Sequence, residues 1–302
     1  KAIDNFRLTG KRLFAAYAQS RLSTIYRATG RYDEARELAE QSLAVRKEFN
    51  DQSGVASSLM ALSEIGMAVG DITRARQYAQ QVFDIGVETD DADARAMATA
   101  QIAEADRLSG RTRESIEGYR SAESLYRNLD DPLGVANAQA GLARASINLG
   151  DLDGAGVIAQ NLLQTARESE HDTEEARALN LVGEVMLARE RFGDAVDAFS
   201  EALAITLRIG DAPLAFTARA NLTHALLERG DTDDAEPHLD TVMLERPEHP
   251  DVLRLQAHMA WARGDAQAAA ASMAQARSLA GESWNARDAA ELERYREAAS
   301  GE

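Results

Sequence analysis

The chain of 302 residues has no cysteine. Disulfides, thiolate metal sites and a cysteine nucleophile are therefore excluded, while cytosol and periplasm stay equally open. Aromatic residues make up only 5%, proline occurs five times, and lysine only as Lys1, Lys11 and Lys47. No run approaches the roughly 18–20 apolar residues of a membrane span. No signal peptide is recognisable. The chain starts at a lysine, so an upstream signal or membrane segment stays open; the expected compartment is the cytoplasm, or the periplasm if such a segment is missing. The phosphate-binding pattern Gly-x-x-x-x-Gly-Lys, the nucleophile elbow Gly-x-Ser-x-Gly and the zinc pattern His-Glu-x-x-His are all absent. No catalytic group, cofactor or metal is expected, and the chain reads as a non-enzyme.

Positive charge is also scarce. The net charge is −17, unevenly spread: residues 1–50 carry +4, so the rest carries −21. A body this acidic repels a phosphate backbone, which argues against direct nucleic-acid binding. A basic peptide or basic partner surface fits it, and so does a plain role in solubility.

What the chain has is a period. Gly30-Arg-Tyr-Asp-Glu-Ala35 returns as Gly70-Asp-Ile-Thr-Arg-Ala75, Gly110-Arg-Thr-Arg-Glu-Ser115 and Gly150-Asp-Leu-Asp-Gly-Ala155. It continues as Glu190-Arg-Phe-Gly-Asp-Ala195 and Gly230-Asp-Thr-Asp-Asp-Ala235, always at 40 residues; Gly264-Asp-Ala-Gln-Ala-Ala269 follows after 34. Fixed self-similarity at this period predicts a stacked array of helical hairpins. Each glycine ends a first helix (A). Each junction such as Asn50-Asp51 caps the next unit. A large apolar ladder runs through helix A: Leu22, Leu62, Ile102, Leu142, Val182, Leu222. Small ladders run beside it (Ser23, Ser63, Ala103, Ala143, Gly183, Thr223) and through the second helix, B (Ala35, Ala75, Ser115, Ala155, Ala195, Ala235). Small residues at matched positions let two antiparallel helices approach closely. Gly66, Asp106 and Ser146 are expected to pack lightly, because they stand where a resemblance to a known repeat family implies tyrosine. Pro237 is expected at the margin of the sixth B helix. Trp284–Ala298 reads as an amphipathic cap, with Trp284, Ala289, Leu292 and Tyr295 on one side.

These ladders resemble the tetratricopeptide repeat. Leu22-Ser23 and Val182-Gly183 look like the family's Leu-Gly pair, and Gly30-Arg-Tyr-Asp-Glu-Ala35 like its Gly-x-Tyr-x-x-Ala turn. Pro247 looks like its closing proline. The 40-residue spacing is similar to a lengthened form found in bacterial multidomain signalling regulators and in some eukaryotic scaffolds. The resemblance implies an all-α, right-handed solenoid of about seven repeats over residues 11–281. Residues 1–10 would be a leader or the tail of a preceding repeat, and 282–302 the capping helix and tail.

In the family, certain helix-A registers line the concave surface. Carried onto this chain, they imply a partner-binding groove of Tyr17, Arg27, Met60, Glu64, Met67, Met97, Glu104, Arg107, Asn137, Arg144, Ile147, Arg177, Asn180, Glu184, His224, His258 and Trp261. Met60, Met67, Met97 and Ile147 would form a soft apolar strip rimmed by charge, suited to adaptable peptide binding; the alternative is that the methionines pack between helices. Ser20/Thr24, Met60/Glu64, Ala100/Glu104 and Ala140/Arg144 stand where carboxylate-clamping members carry lysine and asparagine, so that mode is not expected. Glu184, His224 and His258 share one register and are metal-ligating types. Equivalent residues on neighbouring repeats are expected roughly 10 Å apart, too far for a shared ion. Asp151-x-Asp153-Gly154 lacks the acids of a calcium loop. The expected function is a protein-interaction module, the regulatory or sensor region of a larger bacterial signalling protein. The alternative is a sensor that changes shape on binding a small ligand or signal peptide.

Overall fold

In the computed structural model residue 6 and residues 10–300 are described. The leader or preceding-repeat tail expected over 1–10 lies almost wholly outside them. Among the described residues there are fifteen α-helices and no strand. They are α1 (Arg12–Ala28), α2 (Tyr32–Glu48), α3 (Gln52–Ala68), α4 (Ile72–Glu88), α5 (Ala92–Leu108), α6 (Thr112–Asn128), α7 (Pro132–Leu149) and α8 (Leu152–Glu168). There follow α9 (Asp172–Ala188), α10 (Phe192–Ile209), α11 (Ala212–Arg229), α12 (Thr232–Glu245), α13 (Pro250–Ala262), α14 (Ala266–Ala280) and α15 (Ala286–Ser300). Odd helices up to α13 are the A helices, even ones the B helices.

Both hairpin turns are built the same way. Gly30, Gly70 and Gly110 have φ of 77°, 76° and 77°, the left-handed region where glycine carries no Cβ penalty. The turn closes by paired backbone bonds: Gly30 N donates to Arg27 O at 3.0 Å and Arg31 N to Tyr26 O at 2.8 Å, the Schellman pattern. The first four B-helix ends repeat it without glycine: Asn50, Asp90, Asp130 and Glu170 sit at φ 53–54°. Glu190, where the glycine ladder breaks, keeps the same geometry at φ 59°. The expected caps are present. Asp51 Oδ1 accepts from Gly54 N at 3.0 Å, and Asp91, Asp131 and Asp211 cap their helices in the same way.

The chain forms two compact units, Lys1–Gly141 and Leu142–Glu302. Within each, consecutive helices pack against one another, and A helices of adjacent hairpins also touch: α1 with α3 and α3 with α5 in the first, α9 with α11 and α11 with α13 in the second. The small ladders meet at the hairpin cores. Ala35, Ala75, Ser115, Ala155, Ala195 and Ala235 are all completely buried. Ser23 Oγ donates to Ala35 O at 2.7 Å and Ser63 Oγ to Ala75 O at 2.8 Å, so one small ladder hydrogen-bonds to the other. Gly183 is covered by the buried ring of Phe199.

Two expectations need correction. Packing is not light at Gly66 or Asp106. A Cβ at Gly66 would stand 3.0 Å from the Ala75 Cβ. Asp106 is buried and takes ion pairs from Arg76 at 2.8 Å and Arg111 at 2.7 Å. Pro237 lies inside α12, the sixth residue of a continuous helix. The C-terminal helix is present: Leu292 and Tyr295 bury against Ala257, Ala269 and Met273, while Trp284 packs on that cluster from just outside the helix.

Candidate functional site

The expected groove residues lie on the A helices, and many bond from one repeat to the next. In the first unit Arg27 Nη2 stands 3.1 Å from Glu64 Oε2, and Gln101 Nε2 donates to Met67 Sδ at 3.5 Å. In the second, Arg144 makes a two-point bond to Glu184 at 2.9 and 3.1 Å, and Asn221 Nδ2 reaches Asn180 Oδ1 at 3.4 Å. The His224 and His258 rings lie 5.6 Å apart, and the Trp261 and Tyr295 rings 4.8 Å apart. Residues spaced by one repeat thus become lateral neighbours.

This pairing changes what the face offers. Glu104 is held two-point by Arg107 and accepts from the Tyr119 hydroxyl at 2.5 Å. Arg177 is exposed, 3.9 Å from Glu174. Asn180 is only 2% exposed, its amide donating to Ala176 O at 3.0 Å; it stitches helices together and presents little to a partner. Met60 is half-buried against Val55, Leu59, Val82, Ala94 and Ala98, and so follows the helix-packing alternative. Ile147 is half-buried. Met97, at 46% exposure, and Asn137 stay open to solvent. Tyr17 is exposed at its edge, with its ring under the Arg46 guanidinium at 4.7 Å. Burial pushes the Glu64 carboxyl up from the usual range against the opposing pull of Arg27. A cavity of about 330 Å³ lies among α2, α3 and α4, lined by Val55, Leu59 and Ile85 with Lys47, Asp84 and Glu88; none of the expected groove residues lines it.

The spacing argument against a shared ion does not hold. Adjacent A helices touch directly, and imidazoles leaning across that contact close most of the gap between the axes. Glu184 is not the third member, since Arg144 takes it. Glu228 is, one turn beyond His224, with its carboxylate 3.3 Å from His224 Nε2. Glu291 on α15 lies 2.9 Å from His258 Nε2. Hydrogen bonding from His258, then from Arg287, holds the Glu291 carboxyl down at about 2. Sequence reasoning passed over Gln101, Asn221, Glu228 and Glu291. The available signal was residue type at one repeat's spacing, and the His224-x-x-x-Glu228 interval.

The Asp151-x-Asp153 stretch is likewise accounted for. Asp151 caps α8 through Gly154 N at 3.0 Å, and Asp153 pairs with Arg189 at 2.8 Å.

Capped helical hairpins whose neighbouring A helices bond to one another within each unit define a helical-repeat fold. The sequence matches the tetratricopeptide repeat family over residues 14–85, 174–243 and 221–283. The chain belongs to that family, whose fold is generally a non-enzymatic scaffold for protein interactions. No curated protein matches the chain. Among solved structures it is similar to a Rap protein complexed with competence and sporulation factor, with a TM-score of 0.66 at 15% identity, covering 95% of each chain. It is also similar to a tetratricopeptide repeat protein from Parabacteroides merdae, with a TM-score of 0.55 at 13% identity over 93% of this chain and 98% of that one. A third likeness, at TM-score 0.55 and 14% identity, is to a signal-transduction ATPase with a tetratricopeptide repeat sensor from Pyrococcus horikoshii, covering 88% of this chain and 42% of that one. These likenesses establish the fold. Among the described residues no helix is long and apolar enough to cross a membrane.

Proposed function

We propose that the chain is a non-enzymatic module that captures a peptide or a partner protein along its A-helix face, as the regulatory or sensor region of a larger signalling protein. The reading is supported above all by the end-to-end likeness of fold to the Rap protein, whose structure holds a bound factor. The A helices expose Met97 and Asn137 in the first unit and Arg177 in the second, while the carboxylates of Glu64 and Glu184 are already paired. A bound segment has to compete with those internal ion pairs. Affinity then comes from apolar and backbone contacts, and charge sets orientation. The acidic body selects for a basic segment.

Calorimetry with length-matched basic and acidic peptides tests this. The expected result is binding of the basic set only, weakened about tenfold by Met97→Lys, a loss of roughly 1.4 kcal/mol. Met97 is exposed enough that melting should not move. Equal binding of both sets, or an unaffected Met97→Lys variant, contradicts the reading. The sensor alternative gains support from the repeat sensor of the P. horikoshii protein. It requires a change in solution scattering dimensions on adding a short peptide; a scaffold shows none.

A further inference from the structure

The cluster of His224, Glu228 and His258 has a chemistry that peptide capture does not use. Each offers one ligand atom, and the three atoms lie within 4.8 Å of one another. No other such group occurs among the described residues. From this geometry we infer a binding site for a divalent transition metal ion of the zinc class, formed by His224 and Glu228 of α11 and His258 of α13. The inference stands independently of the groove.

Three observations carry it. First, the ligand types fit. Two imidazoles with a carboxylate suit zinc, cobalt or nickel, whereas calcium and magnesium prefer all-oxygen sets. A tetrahedral zinc ion with bonds of about 2.1 Å holds its ligands about 3.4 Å apart. Side-chain rotation on two helices already in contact closes the remaining gap. Second, His224 Nε2 is shielded from solvent and has no aligned hydrogen-bond partner. It stands 3.3 Å from Glu228 Oε1, but not in hydrogen-bonding geometry. A buried ring nitrogen without a bond is costly, and a metal would use its lone pair. Third, an outer carboxylate is in place. Glu291 Oε2 lies 2.9 Å from His258 Nε2, a contact that would orient His258 for ligation through its other ring nitrogen.

The nearby charges permit a dication. Arg287 lies 3.9 Å from Glu228 and 3.1 Å from Glu291, and its own side chain is largely exposed. With neutral imidazoles, two carboxylates and one guanidinium leave the cluster at −1. A bound ion would join α11 to α13 and, through Glu291, to α15, closing the last two hairpins against the cap.

The test uses the full chain, stripped with chelator and titrated with zinc and cobalt(II) chloride at pH 7.5. The expected result is one zinc per chain, a visible cobalt absorption band and a melting temperature raised by zinc. Magnesium and calcium should produce none of these. His258→Gln and Glu228→Gln should each weaken zinc binding at least tenfold. Glu228 lies at the surface, so its variant stays folded and decides the matter even if His258→Gln does not fold. His171→Gln, an exposed histidine outside the cluster, should bind as the parent does. Absence of stoichiometric binding overturns the inference, as does parent-like affinity in Glu228→Gln.

Discussion

Single residues in this array act through the helix packed against them. Gly183 and Gly193 make the point, because both are helical glycines without positive φ and they should respond oppositely to alanine. A Cβ at Gly183 would meet the Phe199 ring at 2.5 Å, and that ring is wholly buried and has nowhere to go. Gly183→Ala should cost about 1–3 kcal/mol, the usual penalty of overpacking. A Cβ at Gly193 meets nothing within 4 Å, so Gly193→Ala should stabilise by about 0.5–1 kcal/mol through chain entropy. Urea unfolding of the two variants beside the parent checks both signs. The value of a small residue was legible in the ladder, but its partner Phe199 was not.

At the scale of the element, the helices are set by their ends. Left-handed turns recur at both junctions of a repeat: glycine follows most A helices and Asn, Asp or Glu the first four B helices, with Glu190 after α9 and Gly210 after α10 as the exchanges. Glycine pointed to the first series; the second was hidden because its residues also read as caps. The start of α13 is a special case. His249 packs edge-on against Phe216 at 5.6 Å, and its Nδ1 accepts from Asp251 N at 3.3 Å. Burial holds its pKa below the ordinary 6.5; Asp251 opposes, while Arg246 and Arg254 reinforce the lowering. Burial and Arg219 lower His238 on α12 in the same direction. The unfolded chain therefore takes up these protons first as pH falls below 6.5. The stability they contribute is complete above that value and is lost as pH passes through the lower folded values. The melting temperature should drop between pH 7.5 and 5.5, and His249→Gln should shrink that drop. An unchanged drop in the variant would show that the ring does not set the acid response.

For the whole molecule, each repeat leans only on its neighbours, so damage should stay local. Removing α15 by ending the chain at Gly281 uncovers Met273, Ala269 and Trp261 and discards the buried Leu292 and Tyr295. At about 1.5–3 kcal/mol for each large side chain, the terminal hairpins should lose roughly 3–6 kcal/mol. Hydrogen exchange should rise steeply in α13 and α14 and hardly at all in α1–α4. A uniform rise along the chain would mean that the array unfolds as a single cooperative block.

The 40-residue glycine ladder, the paired small ladders and the aspartate caps were enough, by themselves, to determine an all-helical array of hairpins. Between the turns and caps, which recur at a fixed period, the apolar residues keep helical spacing, and a stacked helical hairpin satisfies both. The A-helix face as a binding surface was implied by the tetratricopeptide resemblance. Which members of that face are free was decided by the tertiary structure alone. Asn180 is buried, Met60 is half-buried against the core, and Arg27, Glu104, Arg144 and Glu184 are already in ion pairs. Helical periodicity places a residue on a face, but exposure depends on what the next repeat brings against it. The two histidines show the same limit. Their shared register was visible in the chain, but their closeness came from the direct packing of α11 on α13, which no spacing along one helix records.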